Sequence, residues 1–168
     1  MSISMYSASV PVFTRTLNNL VQILEKAQAH AQAKKINPEI LLNARLFPDM
    51  FALTRQIQIA SDFAKGTAAR LAGLEPPSYP DTESSFAELI TRVQKTIDFI
   101  KTIPADKVNG SENRDIILKM HSGELHFKGE AYLTQFSLPN FYFHATTAYA
   151  ILRHNGIELG KTDFIGSL

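Results

Sequence analysis

The sequence predicts an all-α fold, an antiparallel up-down-up-down four-helix bundle with a small β-hairpin before its last helix. Four long stretches place apolar residues at steps of three and four, as amphipathic helices do. Proline- or glycine-containing segments separate most of these stretches, and one short segment alternates between apolar and polar residues. Because four such helices can bury their apolar stripes only against one another, a bundle follows.

The first helix is predicted over residues 9–34. Ser9 can cap its free amides, and Asn37 with Pro38 then predicts a short helix through Arg45. The apolar stripe of the first helix consists of Phe13, Leu17, Leu20, Leu24, Ala27 and Ala31.

The second long helix is predicted over residues 49–72, with Asp49 as its N-terminal cap. Its apolar stripe consists of Met50, Leu53, Ile57, Ala60, Ala64, Ala68 and Leu71. Gly73 suits the left-handed position just past a helix end. The segment LEPPSYPD that follows is the strongest loop signal in the chain, and we interpret it as a connection between helices of one domain.

The third helix is predicted over residues 83–103. It begins between Asp81 and Ser85, where the segment DTES and a capping box of Ser85 and Glu88 are alternative starts. Its inner face is lined by Phe86, Leu89, Val93, Ile97 and Ile100, and the helix ends before Pro104.

Residues 115–128 break the helical pattern and predict a β-hairpin with a two-residue turn at Ser122-Gly123. The expected pairs are Met120 with Leu125, Leu118 with Phe127, Lys119 with His126, and His121 with Glu124. The first two pairs form an apolar side and the other two face solvent, so the register is consistent with one buried face.

The last helical region is predicted over residues 130–154. Pro139 lies inside it, so either Ser137 caps a new helix or one helix is kinked there. The tail after Gly156 carries several apolar residues and is expected to be ordered against the bundle.

Composition excludes several classes of function. The 168 residues suit one domain over residues 1–168, and 17 basic against 16 acidic residues give a net charge of +1. That balance offers no field that would attract nucleic acid, and the absence of cysteine excludes disulfides and thiolate chemistry. The opening residues do not have the pattern of a signal peptide and no apolar run could span a bilayer, so we expect a cytoplasmic protein without membrane contact.

Four of the five histidines have structural interpretations. His121 and His126 fall on the solvent side of the predicted hairpin, and His30 lies among glutamine and lysine residues. His154 lies in the last helical turn, where an imidazolium complements the helix dipole.

His144 is different because it lies on the stripe of the last helix that should face the core. A buried imidazole needs polar partners. Asn140 lies one turn earlier on the same stripe, and Gln56 lies beside the apolar stripe of the second helix. We expect Gln56, Asn140 and His144 to converge as a site for a small polar ligand; the alternative is a purely structural hydrogen-bond cluster. No catalytic residue can be named, because no nucleophile–base arrangement or phosphate loop is recognisable.

Three segments resemble the DinB/YfiT-like superfamily, and more narrowly its short bacterial branch of unknown function. They are VPVFTRTLNNLVQILEKA, LFPDMFALTRQIQIASDFAKGTAARLAG and LPNFYFHATTAYAILRHNG. The resemblance implies a four-helix bundle that is often dimeric. In many members three histidines bind a divalent metal, one from helix two and an H-x-x-x-H pair from the last helix. Some members are metal-dependent transferases or isomerases that use low-molecular-weight thiols.

Residue by residue, the resemblance carries over only in part. His144 matches the second histidine of the pair, whereas Asn140 stands at the first position and Gln56 at the helix-two position. Amide oxygens are poor ligands for zinc or nickel, which favour imidazole and thiolate. We therefore expect a degenerate metal site without a cofactor, the alternative being a divalent metal bound weakly at His144.

Three functions remain open: a bundle that binds a small polar ligand, a metal-dependent transferase or isomerase acting with a thiol, and a homodimeric scaffold without catalysis. A homodimer is expected because the last helix carries more aromatic surface than one core-facing stripe can hold. The residues concerned are Phe136, Phe141, Tyr142, Phe143 and Tyr149. The alternative is that the C-terminal tail covers the second face within one chain.

Overall fold

Four long helices pack side by side in the computed structural model, which describes residues 3–120 and 123–166. Within these ranges no helix combines the length and apolar character that crossing a bilayer requires. The elements in chain order are α1 (Val10–Lys34), α2 (Pro38–Leu42), α3 (Leu53–Leu71), α4 (Phe86–Lys101), α5 (Ala105–Val108), β1 (Asp115–Met120), β2 (Gly123–Lys128), α6 (Gly129–Ala131), a π-helical segment (Tyr132–Ser137), α7 (Leu138–His154) and α8 (Lys161–Ile165).

The four predicted apolar stripes form the core, which confirms the bundle and the hairpin before the last helix. The stripes of α1 and α4 are buried along their whole length. Several predicted ends are also confirmed: Ser85 and Glu88 form both bonds of a capping box, and Asn37 accepts a hydrogen bond from the Glu39 amide. Gly73, with a φ of 74°, adopts the left-handed conformation just after α3.

The helix directions differ from the expected up-down-up-down order. Tyr6, before α1, bonds to Asn109, after α4, so α1 and α4 are antiparallel. Ser111, shortly after α4, lies with Gly129 beside Leu71 at the C-terminal end of α3, so α3 and α4 run parallel. The order is therefore up-down-down-up, a bundle with long crossover connections.

The connection 72–85 makes the parallel arrangement possible because it returns along α3 before α4 begins. The guanidinium of Arg92 on α4 holds this connection: it donates to the Pro80 carbonyl at 3.0 Å and to Glu83 at 2.9 Å. It also donates to Asp62 of α3 at 2.9 Å. Arg92 is 3% exposed, so a charged group fastens the connection between two core helices.

Two predicted helix starts were wrong in detail. The second long helix begins at Leu53 rather than Asp49, because the Leu53 amide bonds to the Ala44 carbonyl and ties the preceding turn to the end of α2. Ser9 occupies the N-cap position of α1, but its hydroxyl donates to the Met5 carbonyl at 2.6 Å and caps no amide. The short helix α2 also ends earlier than Arg45, at Leu42.

The hairpin has the predicted faces but a different register. Leu118 pairs with Leu125 and Ile116 with Phe127, while Gly123 belongs to β2 and pairs with Met120. Gly123 was expected in the turn and not in the strand. Ser122 and the expected pairing of His121 with Glu124 lie outside the described residues. A shift of two in the pairing keeps every side chain on its expected face, so the apolar pattern could not detect it.

The last helical region is continuous, and the π-helical segment accommodates Pro139. Proline has no amide to donate in the α-helical pattern, and the Leu138 amide bonds to the Leu133 carbonyl, five residues earlier. The structure therefore follows the single-helix alternative, with a π segment in place of a sharp kink. After α7, the tail returns across α1, and Phe164 packs edge-on against Tyr149 at 5.7 Å.

Candidate functional site

The structure brings two of the three predicted site residues into direct contact. His144 of α7 and Gln56 of α3 face each other across the interface of these antiparallel helices, with 2.7 Å between Nδ1 and Oε1. Both are buried, Gln56 to 2% exposure and His144 to 9%. The pair is a polar contact inside an otherwise apolar helix interface.

The hydrogen bonds of Gln56 fix the tautomer of the imidazole. The Gln56 amide nitrogen donates to the Phe51 carbonyl at 3.1 Å, so its oxygen is the acceptor for His144. Nδ1 of His144 must then carry the proton and donate it. Nε2 is left with a lone pair and makes no hydrogen bond within the part of the chain that the structure describes.

The surroundings of His144 favour the neutral ring. Burial lowers the pKa of His144, and the positive charge of Arg55 lowers it further. Aromatic rings hold the imidazole on two sides: Phe63 stacks on it at 6.1 Å and Phe143 meets it edge-on at 5.2 Å. A neutral imidazole of fixed tautomer can accept a hydrogen bond or a proton at Nε2.

An opening of about 210 Å³ lies next to the pair. Its walls are formed by Asp49, Met50, Phe51, Gln56, Phe143 and His144. Asp49, which was expected to cap a helix, is an exposed carboxylate at this opening. Phe51 and Phe143 are also exposed, to 57% and 58%, so the opening has an aromatic rim around a polar floor.

Asn140 does not join the pair through a hydrogen bond. It lies one turn before His144, as expected, but its amide nitrogen donates to the Phe136 carbonyl of its own helix at 2.7 Å. This bond directs the side-chain nitrogen of Asn140 to the π segment. Of the three side chains predicted to converge, only Gln56 and His144 therefore meet.

The three residues do not fit the three-imidazole metal site that the resemblance implies. The Gln56 oxygen already accepts from the imidazole, and the amide nitrogens of Gln56 and Asn140 donate to main-chain carbonyls. One imidazole nitrogen, Nε2 of His144, remains as a strong ligand atom. Within residues 3–120 and 123–166 no group of three or more histidine, cysteine, aspartate or glutamate residues could hold a metal ion.

Of the other described histidines, His126 and His154 agree with their structural interpretations, whereas His30 was expected to be solvated and is partly buried. His126 is exposed on the hairpin, with Nε2 at 3.4 Å from Glu124, and His154 is exposed in the last turn of α7. His30 is half-buried on α1.

Sequence reasoning missed the aromatic rim and the charge next to His144. Phe51 precedes α3 and Phe143 precedes His144, so neither lies on a core stripe, and an exposed apolar residue alone is not informative. Arg55 could have been found, because it directly precedes Gln56 at the start of α3.

Comparisons with known proteins agree with this fold. A family model described as "Domain of unknown function (DUF1993)" matches residues 5–165. Among solved structures, the chain is similar to a DinB family member protein from Shewanella denitrificans, with 37% sequence identity and a TM-score of 0.89. That match covers 97% of this chain and 92% of the other. No curated protein matches the chain. The resemblance to DinB-like proteins is thereby confirmed over nearly the whole length.

Proposed function

The chain belongs to the DUF1993 family and has the fold of a DinB family member, and we propose that it is a small-molecule-binding bundle whose ligand contacts His144. The observation that supports this proposal is the bond between His144 Nδ1 and Gln56 Oε1. It leaves the Nε2 lone pair of a neutral imidazole beside an opening of about 210 Å³. Such a combination, an apolar recess with few oriented polar atoms, is typical of ligand sites.

The chemistry of the opening favours a ligand that carries hydrogen-bond donors. Nε2 of His144 and the carboxylate of Asp49 are both acceptors. Phe51 and Phe143 offer aromatic surface for an apolar body or a cationic group. A small amine or alcohol with an apolar part satisfies all four groups.

The proposal includes a degenerate metal site. One imidazole and one exposed carboxylate give a divalent metal two protein ligands, fewer than the three or four that structural and catalytic zinc sites use. A weakly bound divalent metal at His144 is the alternative, and with it a thiol-dependent transferase or isomerase. Metal analysis of freshly purified, untagged protein distinguishes the two.

Benzylamine and benzyl alcohol are suitable probes because each joins a donor group to one aromatic ring. We expect both to bind the protein in saturation-transfer NMR, and we expect His144→Ala to abolish their binding. His126→Ala is the matched control, because it removes an exposed imidazole on the hairpin and should leave binding unchanged. Equal binding by His144→Ala, or near-stoichiometric zinc, nickel or iron that disappears in this variant, would contradict the proposal.

A second candidate function is self-association as a homodimer. The C-terminal tail accounts for Tyr149, and the core accounts for Phe141, but Phe143 stays exposed at the opening that exposed Phe51 also lines. Adjacent exposed aromatic rings are typical of an interface. We expect a dimer mass by light scattering at micromolar concentration and a monomer mass for Phe143→Ser. Leu74→Ser, at another exposed apolar residue, is the control, and a monomeric native protein would contradict this candidate.

A further inference from the structure

A second opening lies between α3, the π segment and strand β1, and the proposed function does not use it. Its volume is about 230 Å³. Phe63, Leu118 and Phe136 form apolar walls, Arg70 and Lys119 bring positive charge to it, and Asp62 also lines it. An opening that is apolar on its walls and cationic at one side suits an anion with an apolar body.

Arg70 reaches this opening because of the glycine one turn before it. The guanidinium lies back along α3, and a Cβ at Gly66 would lie 2.6 Å from its Nη1 atom. Gly66 therefore provides the space that the guanidinium occupies. A glycine inside a helix lowers helix stability. At this position the glycine also leaves room for the Arg70 guanidinium, which is a packing reason for its presence.

The hydrogen-bond partner of Arg70 is the hydroxyl of Tyr132, which belongs to a chain of buried hydroxyl groups. Nη1 of Arg70 donates to the hydroxyl of Tyr132 at 3.2 Å. That hydroxyl also accepts from Thr67 at 3.5 Å, and Thr67 is bonded to Ser137. Tyr132 and Ser137 are the two ends of the π segment, a geometry found frequently at functional sites.

The positive charge at this opening is not neutralised by the carboxylates around it. Asp62 is bound to Lys65 and Arg92, and Asp115 is bound to Lys128. In the ranges that the structure covers, neither Arg70 nor Lys119 has a carboxylate within ion-pair distance.

The adjoining opening repeats this imbalance. Arg114 donates to the Leu71 carbonyl at 2.6 Å and also has no ion pair among the residues described. Glu75 lines the same opening, together with Arg70 and Lys119. Three carboxylates, Asp62, Glu75 and Asp115, and three cations, Arg70, Arg114 and Lys119, line the two openings. Asp62 and Asp115 are already paired with cations outside this set, so only Glu75 is left against the three cations, and a positive field remains across both openings.

We propose that the opening at Arg70 binds a small organic carboxylate. The planar guanidinium has donors beyond the one used by Tyr132, and it matches the two oxygens of a carboxylate. The apolar body of the ligand packs against Phe63, Leu118 and Phe136. These apolar walls favour an organic carboxylate over inorganic phosphate, which has no apolar part to bury.

Titration with benzoate, followed by NMR of the full chain, tests this proposal. We expect saturable binding with a dissociation constant of roughly millimolar magnitude, as for a ligand of few atoms. Benzamide, the neutral analogue, and inorganic phosphate should each bind at least about tenfold more weakly, a factor within the range of one charge-assisted contact.

Two variants and one control separate recognition by Arg70 from general effects of charge and folding. Arg70→Gln should weaken benzoate binding about tenfold or more. Gly66→Ala keeps every charge but displaces the guanidinium, so it should weaken binding while the helix gains stability. Arg153→Gln, at an exposed arginine on α7, removes the same charge elsewhere and should have no effect.

The outcomes distinguish this site from the proposed function. His144→Ala should bind benzoate like the native protein, even though it loses benzylamine. Lack of saturable benzoate binding, equal weakening by Arg70→Gln and Arg153→Gln, or tighter binding of phosphate than of benzoate would overturn the proposal. Unchanged affinity in a folded Gly66→Ala variant would overturn the role given to the position of Arg70.

Discussion

Nδ1 of His144 lies 2.7 Å from Oε1 of Gln56, and this bond joins α7 to α3 in the interior of the bundle. Gln56 also links the pair to the segment before α3, because its amide nitrogen donates to the carbonyl of Phe51. A buried polar group that loses its partner keeps its desolvation cost. The pair therefore links the stability of the helix interface to the state of the imidazole.

We predict that His144→Ala lowers the free energy of unfolding by about 1–3 kcal/mol, because it leaves the Gln56 oxygen without its donor. Urea unfolding followed by circular dichroism measures the change. His126→Ala, on the exposed hairpin, should change stability by less than about 0.5 kcal/mol. If the two variants were equally stable, the pair would contribute nothing to the fold.

We predict that the protein loses stability as the pH falls from about 7 to about 5. The folded-state pKa of His144 is lowered, so the unfolded chain binds its proton at a higher pH than the folded chain does. Stability is therefore complete above the unfolded pKa near 6.5 and decreases as the pH falls below it, by at most about 1.4 kcal/mol per pH unit.

His144→Gln isolates this contribution to the pH dependence. Asp49 lines the same opening and Arg55 acts on the ring, and both remain in the variant. The difference in unfolding free energy between native protein and variant should therefore shrink from pH 7 to pH 5. A difference that stays constant over this range would contradict the assignment.

The sequence predicted which residues are buried better than it predicted the relative directions of the helices. An apolar stripe determines the inner face of a helix, but it does not determine which neighbour that face meets. The stripes of α3 and α4 are therefore right, whereas their parallel direction goes with the connection 72–85, to which Arg92 donates hydrogen bonds. This arginine follows Leu89 by three residues at the edge of the stripe, and sequence alone gave it no role.

The candidate site was predictable to a similar degree. His144 was found because it lies on the stripe of the last helix that faces the core. Gln56 was found because it stands at the position where many DinB-like proteins have a histidine. Asn140 satisfies the same pattern, but its amide bonds to its own helix next to the π segment. Spacing of one turn places two residues on the same face without determining the direction of either side chain.

Arg92→Ala should lower the free energy of unfolding by about 1–3 kcal/mol, because Glu83 and the Pro80 carbonyl lose a charged hydrogen-bond donor. Burial lowers the pKa of the Arg92 guanidinium, but the hydrogen bond with Glu83 and the charges of Asp62, Glu83 and Asp81 outweigh it and hold the pKa above its usual value. The variant leaves these carboxylates without their shared cation and releases the connection 72–85.

Limited proteolysis gives an independent measurement of the Arg92 variant, because cleavage should appear within the connection 72–85. Arg153→Ala is the control for the loss of an exposed arginine and should leave both stability and cleavage unchanged. An Arg92→Ala protein with native stability and no new cleavage site would contradict the fastening role.

Gly129 joins the hairpin to the last helical region at a point without room for a side chain. A Cβ at this position would lie 2.0 Å from the main-chain oxygen of Ser111. The neighbouring amide of Glu130 donates to the Glu112 carbonyl at 3.0 Å, so both backbones are held in place.

We predict that Gly129→Ala lowers the free energy of unfolding by about 2 kcal/mol or more, as overpacking of a buried contact does. Gly160→Ala is the matched control, because its Cβ would meet Thr162 at an ordinary contact distance of 3.8 Å. Equal unfolding free energies for the two alanine variants would mean that the hairpin and the last helix are joined less tightly than their backbone contact indicates.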